Sequence, residues 1–273
     1  MSLSYRLGGN MIIQKYKANY HTHCHLCKHA VGTVEDYVVK AIHNGFRAIG
    51  ISDHAPLDFL EERSVRMAVK DYPKYISELK HAIVHYLEYI LIYRSLEIEY
   101  FPFLHEHYQD LLSQLDYLIL GQHYIQDGDD LKSIYKIKTM NELRIYKDTV
   151  IEAMNTGYFK ILAHPDIFLI NQGEINQETL ELCEQIIEAA MENNVLLELN
   201  ANGLRKKKHK EDGKWYSKYP RHEFWEIVSQ KNAKTIISAD AHDPNHLVDE
   251  AMDEAYQLAH DLSLVVEEEL VLD

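Results

Sequence analysis

Cysteine is scarce in this 273-residue chain: there are three, at positions 24, 27 and 183, which do not make a disulfide framework. Positive charge is also short. Against 43 Asp and Glu there are 28 Lys and Arg, a formal net charge of −15. Such an acidic surface repels phosphate backbones, so nucleic acid is not expected as a partner. No apolar run reaches membrane-spanning length, and no N-terminal stretch has the basic, apolar and small-residue order of a signal peptide. The chain therefore reads as cytoplasmic, with no membrane partner. No linker rich in Pro, Gly or Ser cuts it and no segment repeats, so residues 1–273 read as one domain. The first ten, MSLSYRLGGN, are weakly patterned and expected to be poorly ordered.

What the chain does have is a hydrophobic content of 46%, enough for a large core, and 17 histidines. Seven short apolar runs are each followed by an amphipathic stretch. The runs are 19–21, 47–52, 89–98, 117–121, 158–163, 195–200 and 234–239. Their length and β-branched content predict buried parallel strands. Helices are predicted over 33–44, 72–88, 105–115, 140–156, 176–193, 221–232 and 245–261. Thr33 with Asp36 forms a capping-box signal for the first, and Asp243-Pro244 a start signal for the last. Alternation of this kind points to an α/β fold with a parallel sheet, either closed into a barrel or open and doubly wound; the closed form is favoured. The polar, basic stretch 205–220 is expected to be a loop over one end of the barrel.

The chemistry lies at the ends of the runs. They close on His21-Thr22-His23, Ser52-Asp53-His54, Glu97-Ile98-Glu99, Gly121-Gln122-His123, Ala163-His164-Pro165, Asn200 to Arg205, and Asp240-Ala241-His242. In a parallel barrel these carboxyl ends share one face. Buried titratable groups cost several kcal/mol (about 2–7 for an unpaired polar group) unless paired or metal-bound, so packing alone does not explain such a collection. Residues i and i+2 of a strand point the same way. His21 with His23, and Asp240 with His242, can therefore reach one ion each. Imidazole with carboxylate suits zinc, iron or manganese. The ligand count implies two or three ions, bridged by Glu97 or Asp240, and clustered ions indicate hydrolysis of a phosphate ester or an amide.

Taken in order, H-x-H at 21–23, His29, S-D-H at 52–54, L-E-I-E at 96–99, G-Q-H at 121–123, A-H-P-D at 163–166 and S-A-D-A-H at 238–242 resemble the PHP (polymerase and histidinol phosphatase) superfamily. The resemblance runs from about residue 19 to 245, with the order and spacing of stand-alone histidinol-phosphate phosphatases. It implies a distorted TIM-like (β/α)7 barrel with a metal cluster at the C-terminal ends of the strands. One ion would be held by His21, His23, Glu97 and Asp240, a second by Glu97, His123 and His164, and a third by His29, His54 and His242. The activity implied is hydrolysis of a small phosphorylated substrate, L-histidinol phosphate, by a metal-activated hydroxide. Arg205 would contact the phosphate, Asp240 or His242 is a candidate proton donor, and Asp53 and Glu99 are candidate substrate contacts. Other phosphoesters (a nucleotide, a sugar phosphate, phosphotyrosine) and a non-catalytic metal-binding role are the alternatives. Two departures stand out: Asn19 where the family often has Asp, and Cys27-Lys28-His29-Ala30 where it usually reads C-P-H-G.

Other features have plainer readings. Cys24 and Cys27 form a C-x-x-C without a second half to complete a zinc knuckle, so they are expected to pack beneath the loop. His25 is expected past the strand end as a spectator. HAIVH at 81–85 lacks the glutamate of a metalloprotease helix and reads as helix surface, as do His105 and His107. His43, His222, His246 and His260 read as solvent-facing.

Overall fold

The computed structural model of the chain describes residues 4–7, 10–13, 15–60, 63–206, 209–211 and 214–272. Nine parallel strands form two sheets. Strands β1 (Ala18–Asn19), β2 (Ala48–Ile51) and β3 (Leu91–Arg94) make one. The other contains β4 (Glu97–Ile98), β5 (Leu118–Leu120), β6 (Phe159–Leu162), β7 (Leu196–Asn200), β8 (Lys234–Ser238) and β9 (Val265–Val266), hydrogen-bonded in that order. Two isolated parallel bridges join the sheets at their carboxyl ends, Thr22 to Ala241 and His54 to Glu97. Among the described residues no helix is long and apolar enough to cross a membrane.

The predicted alternation holds. Helices α1 (Val34–His43), α2 (Tyr72–Tyr86), α3 (His105–Leu112), α4 (Met140–Asn155), α5 (Gln177–Glu192), α6 (Ala201–Arg205), α7 (His222–Lys231) and α8 (Glu250–Asp261) alternate with the strands, except that β3 runs directly into β4 and both α6 and α7 follow β7. The capping box of α1 forms as the sequence indicates: Thr33 Oγ1 accepts from the Asp36 amide, and Asp36 accepts from the Thr33 amide. A second box, Thr139 with Glu142, starts α4.

Side-chain alternation divides the interior in two. One set of strand positions (Ala18, Ala48, Ile119, Ile161, Leu196, Ile236) packs together with Tyr20, Tyr117 and Leu270. The intervening set (Ile49, Ile51, Leu118, Leu120, Leu162, Leu197, Leu199, Ile237) packs against the helices. Each such side chain contributes about 1.5–3 kcal/mol on burial.

Four expectations change. The run 89–98 is two strands, because the Arg94 and Leu96 carbonyls are taken by Asp116 and Ile119 while the Glu97 amide turns to the Ser52 and Asp53 carbonyls. The last helix does not run unbroken from 245: Asp243 and Pro244 start a 3-10 turn over Pro244–Val248, and Asp249 then caps α8 at the Met252 amide. The stretch 205–220 is not all loop, since His209–Glu211 pairs antiparallel with Lys214–Tyr216. At the N-terminus Ser4–Leu7 pairs antiparallel with Asn10–Ile13, while residues 1–3 and 8–9 lie outside the described residues.

Candidate metal centre

The carboxyl ends of the strands, the start of β4 and the loop before α1 bring all nine predicted ligands together. Glu97, at the start of β4 and nearly fully buried, occupies the middle. Its Oε2 lies 3.3 Å from His21 Nε2, 3.4 Å from His23 Nε2 and 3.0 Å from His54 Nδ1. Its Oε1 lies 3.0 Å from His164 Nε2 and 3.6 Å from His123 Nε2. Asp240 Oδ1 adds contacts of 3.1 Å to His23 Nε2, 3.8 Å to His21 Nε2 and 3.4 Å to His242 Nδ1. His29 approaches from the loop before α1, its Nε2 2.8 Å from that of His242.

Ligand atoms within 4.8 Å of one another fall into groups that include His21–His23–Asp240, Glu97–His123–His164 and His29–His54–His242. A fourth group, His23–Cys27–His242, contains a thiol that the sequence left to packing.

The rings are oriented from behind, as ligand imidazoles require. His21 Nδ1 meets Glu198 Oε1 at 2.7 Å and His123 Nδ1 meets Glu99 Oε1 at 3.2 Å. His29 Nδ1 donates to the Cys27 carbonyl and His242 Nδ1 to the Asp240 carbonyl, each at 3.1 Å. The last two rings therefore turn bare Nε2 lone pairs toward each other. Two acceptors cannot hydrogen-bond, so this contact fits a cation or a shared proton between them. Backbone strain collects at the same place: His164 and Asp240 have φ of 33° and 44°, in the left-handed region that non-glycine residues avoid.

Charge is distributed unevenly. Burial opposes ionisation of Glu97, but His54, His21 and His123 outweigh it and hold the carboxyl well below its usual range. Asp240 is likewise held low, against burial, by His21, His23 and His242. The carboxylates in turn raise His21 well above the usual imidazole value and His23 to about 9, again against burial. Burial wins at the outer rings: His54 is lowered to about 4 despite Glu97, and burial with the charge of His23 pushes His242 to about 2.

A cavity of about 280 Å³ opens over the cluster, lined by His29, His54, Glu97, His123, His164, Asp240 and His242 on one side. Asn202, Lys206, Tyr135 and Tyr219 complete the lining.

The three expected substrate contacts are elsewhere. Arg205 does not line the cavity. Its guanidinium is committed to Asp249 (Nε to Oδ2, 2.6 Å) and to the carbonyls of Ala239 and His246, so it fastens α6 to the end of β8. Lys206, one residue on, reaches the cavity instead, its Nζ 5.4 Å from the Tyr219 ring centroid. Glu99 is buried behind His123 in an ion pair with Arg66. Asp53 is fully buried, accepts from the Cys24 thiol at 3.0 Å and the His54 amide at 3.0 Å, and stands 3.5 Å from His23 Nδ1.

Asn19 binds backbone rather than a ligand ring: its side chain donates to the His21 carbonyl and accepts from the Ala239 amide, tying β1 to β8. The carboxylate behind His21 is Glu198, which sequence reasoning missed. Its signal is alternation in LLELN, which puts Glu198 on the same side as Leu196 and Asn200. Asn200 Nδ2 donates to Glu198 Oε2 at 2.8 Å and to Asp240 Oδ2 at 3.1 Å. Cys24, Cys27 and Cys183 are buried and form no disulfide, Cys27 lying within the ligand group with His23 and His242, and His81 and His85 are exposed on α2 as expected. His246, read as solvent-facing, is half-buried.

Comparison with known proteins gives a consistent answer. Residues 19–202 match the PHP domain. A protein of Deinococcus radiodurans named "Probable histidinol-phosphatase" is 23% identical over 234 residues, covering 83% of this chain and 86% of its own. One of the same name from Schizosaccharomyces pombe is 23% identical over 254 residues, 83% of this chain and 81% of its own. A solved histidinol phosphate phosphatase of Lactococcus lactis subsp. lactis, complexed with zinc, L-histidinol and phosphate, superposes with a TM-score of 0.69 at 17% identity, over 92% of this chain and 95% of that one. With the family matched over two thirds of its length and the family's histidines and carboxylates gathered at one end of its parallel strands, this chain belongs to the PHP family.

Proposed function

We propose that the chain is a metal-dependent phosphomonoesterase that hydrolyses L-histidinol phosphate to L-histidinol and phosphate, a step of histidine biosynthesis. The observation that carries this reading is Glu97, whose two oxygens face five imidazoles on the floor of an open polar cavity. The relatives' names supply the substrate. We read the two sheets, joined at Thr22–Ala241 and His54–Glu97, as staves of one distorted (β/α)7 barrel and one domain, with β9 and Leu270 filling the space between β8 and β1.

Two to three divalent ions (zinc, iron or manganese) fit the groups His21–His23–Asp240, Glu97–His123–His164 and His29–His54–His242, with Glu97 between the first two. When bound, such ions supply positive charge for the phosphoryl oxygens and lower the pKa of an attacking water. The chain's own residues do the rest. Lys206 lines the same cavity as Glu97 and supplies an ammonium for the phosphate, with Asn202, Tyr135 and Tyr219 completing the lining. Among the described residues Lys206 is the one Lys or Arg of the lining, so it takes the role first given to Arg205. Asp240 is held ionised and His242 neutral near pH 7. The one ring hydrogen of neutral His242 is spent on the Asp240 carbonyl, so the departing alkoxide takes its proton from water.

Phosphate release measured over a panel of histidinol phosphate, mononucleotides, sugar phosphates and phosphotyrosine, with metal analysis of the same protein, tests the reading. Histidinol phosphate is expected to lead, with two or three ions per chain. A mononucleotide turned over far faster overturns the substrate, and less than one ion per chain after reconstitution overturns the cluster. Lys206→Ala is expected to raise KM at least tenfold with metal content intact, about the loss of one charge-assisted hydrogen bond.

A further inference from the structure

Behind the cluster lies a fully buried pair of opposite charges that substrate does not reach. Arg66 is 3% exposed and Glu99 1%. The guanidinium grips the carboxylate in a fork, Nη2 to Oε1 at 2.9 Å and Nη1 to Oε2 at 3.2 Å, and Nη1 also donates to the Ala55 carbonyl at 3.2 Å. Glu99 Oε1 then meets His123 Nδ1 at 3.2 Å, and the other nitrogen of that ring faces Glu97 Oε1. The chain Arg66–Glu99–His123–Glu97 thus runs from a loop residue, across two strand ends, into the centre of the site.

We propose that Arg66 is a positioning residue of the metal centre, acting through Glu99 to fix which nitrogen of His123 faces the cluster. Both Glu99 oxygens accept from the guanidinium, Oε1 from Nη2 and Oε2 from Nη1, so the carboxylate is held in one place with Oε1 turned to His123 and has only lone pairs to offer it. His123 must then carry its proton on Nδ1 and offer the Nε2 lone pair to the cluster.

Arg66 holds the neighbouring ligand as well. Its bond to the Ala55 carbonyl fastens the loop just past His54, the Ala55 amide donates to the Glu97 carbonyl at 2.9 Å, and the Met67 amide donates to the His54 carbonyl at 3.4 Å. Lysine cannot reproduce the fork, because its ammonium is a point charge rather than a planar pair of donors. The proposal rests on the reading of His123 as a metal ligand.

The test uses Arg66→Met, Arg66→Lys and Glu99→Gln in the full chain. Zinc is titrated into metal-free protein by calorimetry, with metal analysis after desalting, and the His123 tautomer of the metal-free protein is read from its ring 15N shifts. In wild type His123 is expected as the Nδ1–H form. In Arg66→Met, with the fork gone and Glu99 no longer held, the Nδ1–H form is no longer the sole one and one zinc of the set binds about 10–100-fold more weakly, the others being unchanged. Arg66→Lys recovers part of the loss. Should Arg66→Met fail to fold, Glu99→Gln, which keeps the shape, is expected to give the same selective loss. Unchanged tautomer and unchanged zinc affinity in the folded variants overturn the proposal, as does equal weakening of every zinc. A wild type that binds no zinc but shows the Arg66-dependent tautomer overturns the metal reading and leaves the Arg66 relay standing.

Discussion

A Cβ on Gly121 would lie 2.1 Å from Glu97 Oε1 and 2.5 Å from its Cγ. Glu97 has no free direction in which to retreat, since each oxygen already faces imidazoles. Gly121→Ala is therefore expected to displace Glu97 by about 1 Å and cut turnover about 100-fold, with reduced metal content in the same preparation. Normal activity in this variant would contradict the tight packing at Glu97. Arg205 and Lys206 make the second case at this scale. Arg205→Ala removes the partner of Asp249 and a donor to the Ala239 carbonyl. The expected outcome is a loss of about 1–3 kcal/mol in stability, seen in thermal denaturation, with KM for substrate unchanged. An increase in KM without a change in melting temperature would return Arg205 to the phosphate. These two neighbours also show the limit of sequence reading. The sequence put Arg205 at the phosphate, but which member of the basic run after LELNANGL turns inward depends on the last turn of α6.

At the scale of elements, much was legible because strands and helices carry local signatures. The Thr33–Asp36 capping box starts α1 as read. The equivalent Thr139–Glu142 box carries the same signature and starts α4. Thr139→Ala is expected to cost about 1 kcal/mol, a drop of roughly 2–4 °C in melting temperature, measurable by calorimetry without any change in metal content. The breaks in 89–98 and before α8 were not legible. The first is set by partners distant in sequence, the Ser52, Asp53, Asp116 and Ile119 bonds; in the second the Asp249 cap is local, but its carboxylate is also held by the distant Arg205. Glu198 was hidden for a related reason. It lies inside a buried strand among Leu196, Leu197 and Leu199, and its use appears only when His21 and His164 approach it, the His164 amide donating to its Oε2 at 3.1 Å.

For the whole molecule the cluster behaves as one charge system. In the metal-free chain His23 is raised to about 9 from an ordinary 6.5, so below pH 9 it holds a proton that an incoming ion must displace. Apparent zinc affinity is thus expected to rise by about tenfold per pH unit for each displaced proton as the pH climbs toward about 9. A flat dependence between pH 6 and 9, measured by zinc titration, would contradict that charge distribution.

The three groups also differ in hold. His29–His54–His242 contains no carboxylate, two of its rings rest on neutral carbonyls, and His29 is exposed. The other two contain Asp240 or Glu97 and have rings backed by Glu198 or Glu99. Chelator is expected to remove one ion fast and the remainder slowly, and His29→Ala is expected to abolish the fast phase. Loss of all ions in a single phase would show that the groups are equivalent.

The sequence by itself determined the parallel α/β order and the titratable strand ends, and the resemblance to the PHP superfamily singled out the nine residues that converge, His29 among them. Strand periodicity and a histidine or carboxylate at nearly every strand end are local facts, and chain order carries them to one face. Tertiary structure alone decided what stands behind and across from those ligands: Glu198 behind His21, Arg66 and Glu99 behind His123, Lys206 in the cavity where Arg205 was expected. Each of these depends on the distance between side chains about 24–177 residues apart or on the final turn of a short helix, and no local pattern encodes either.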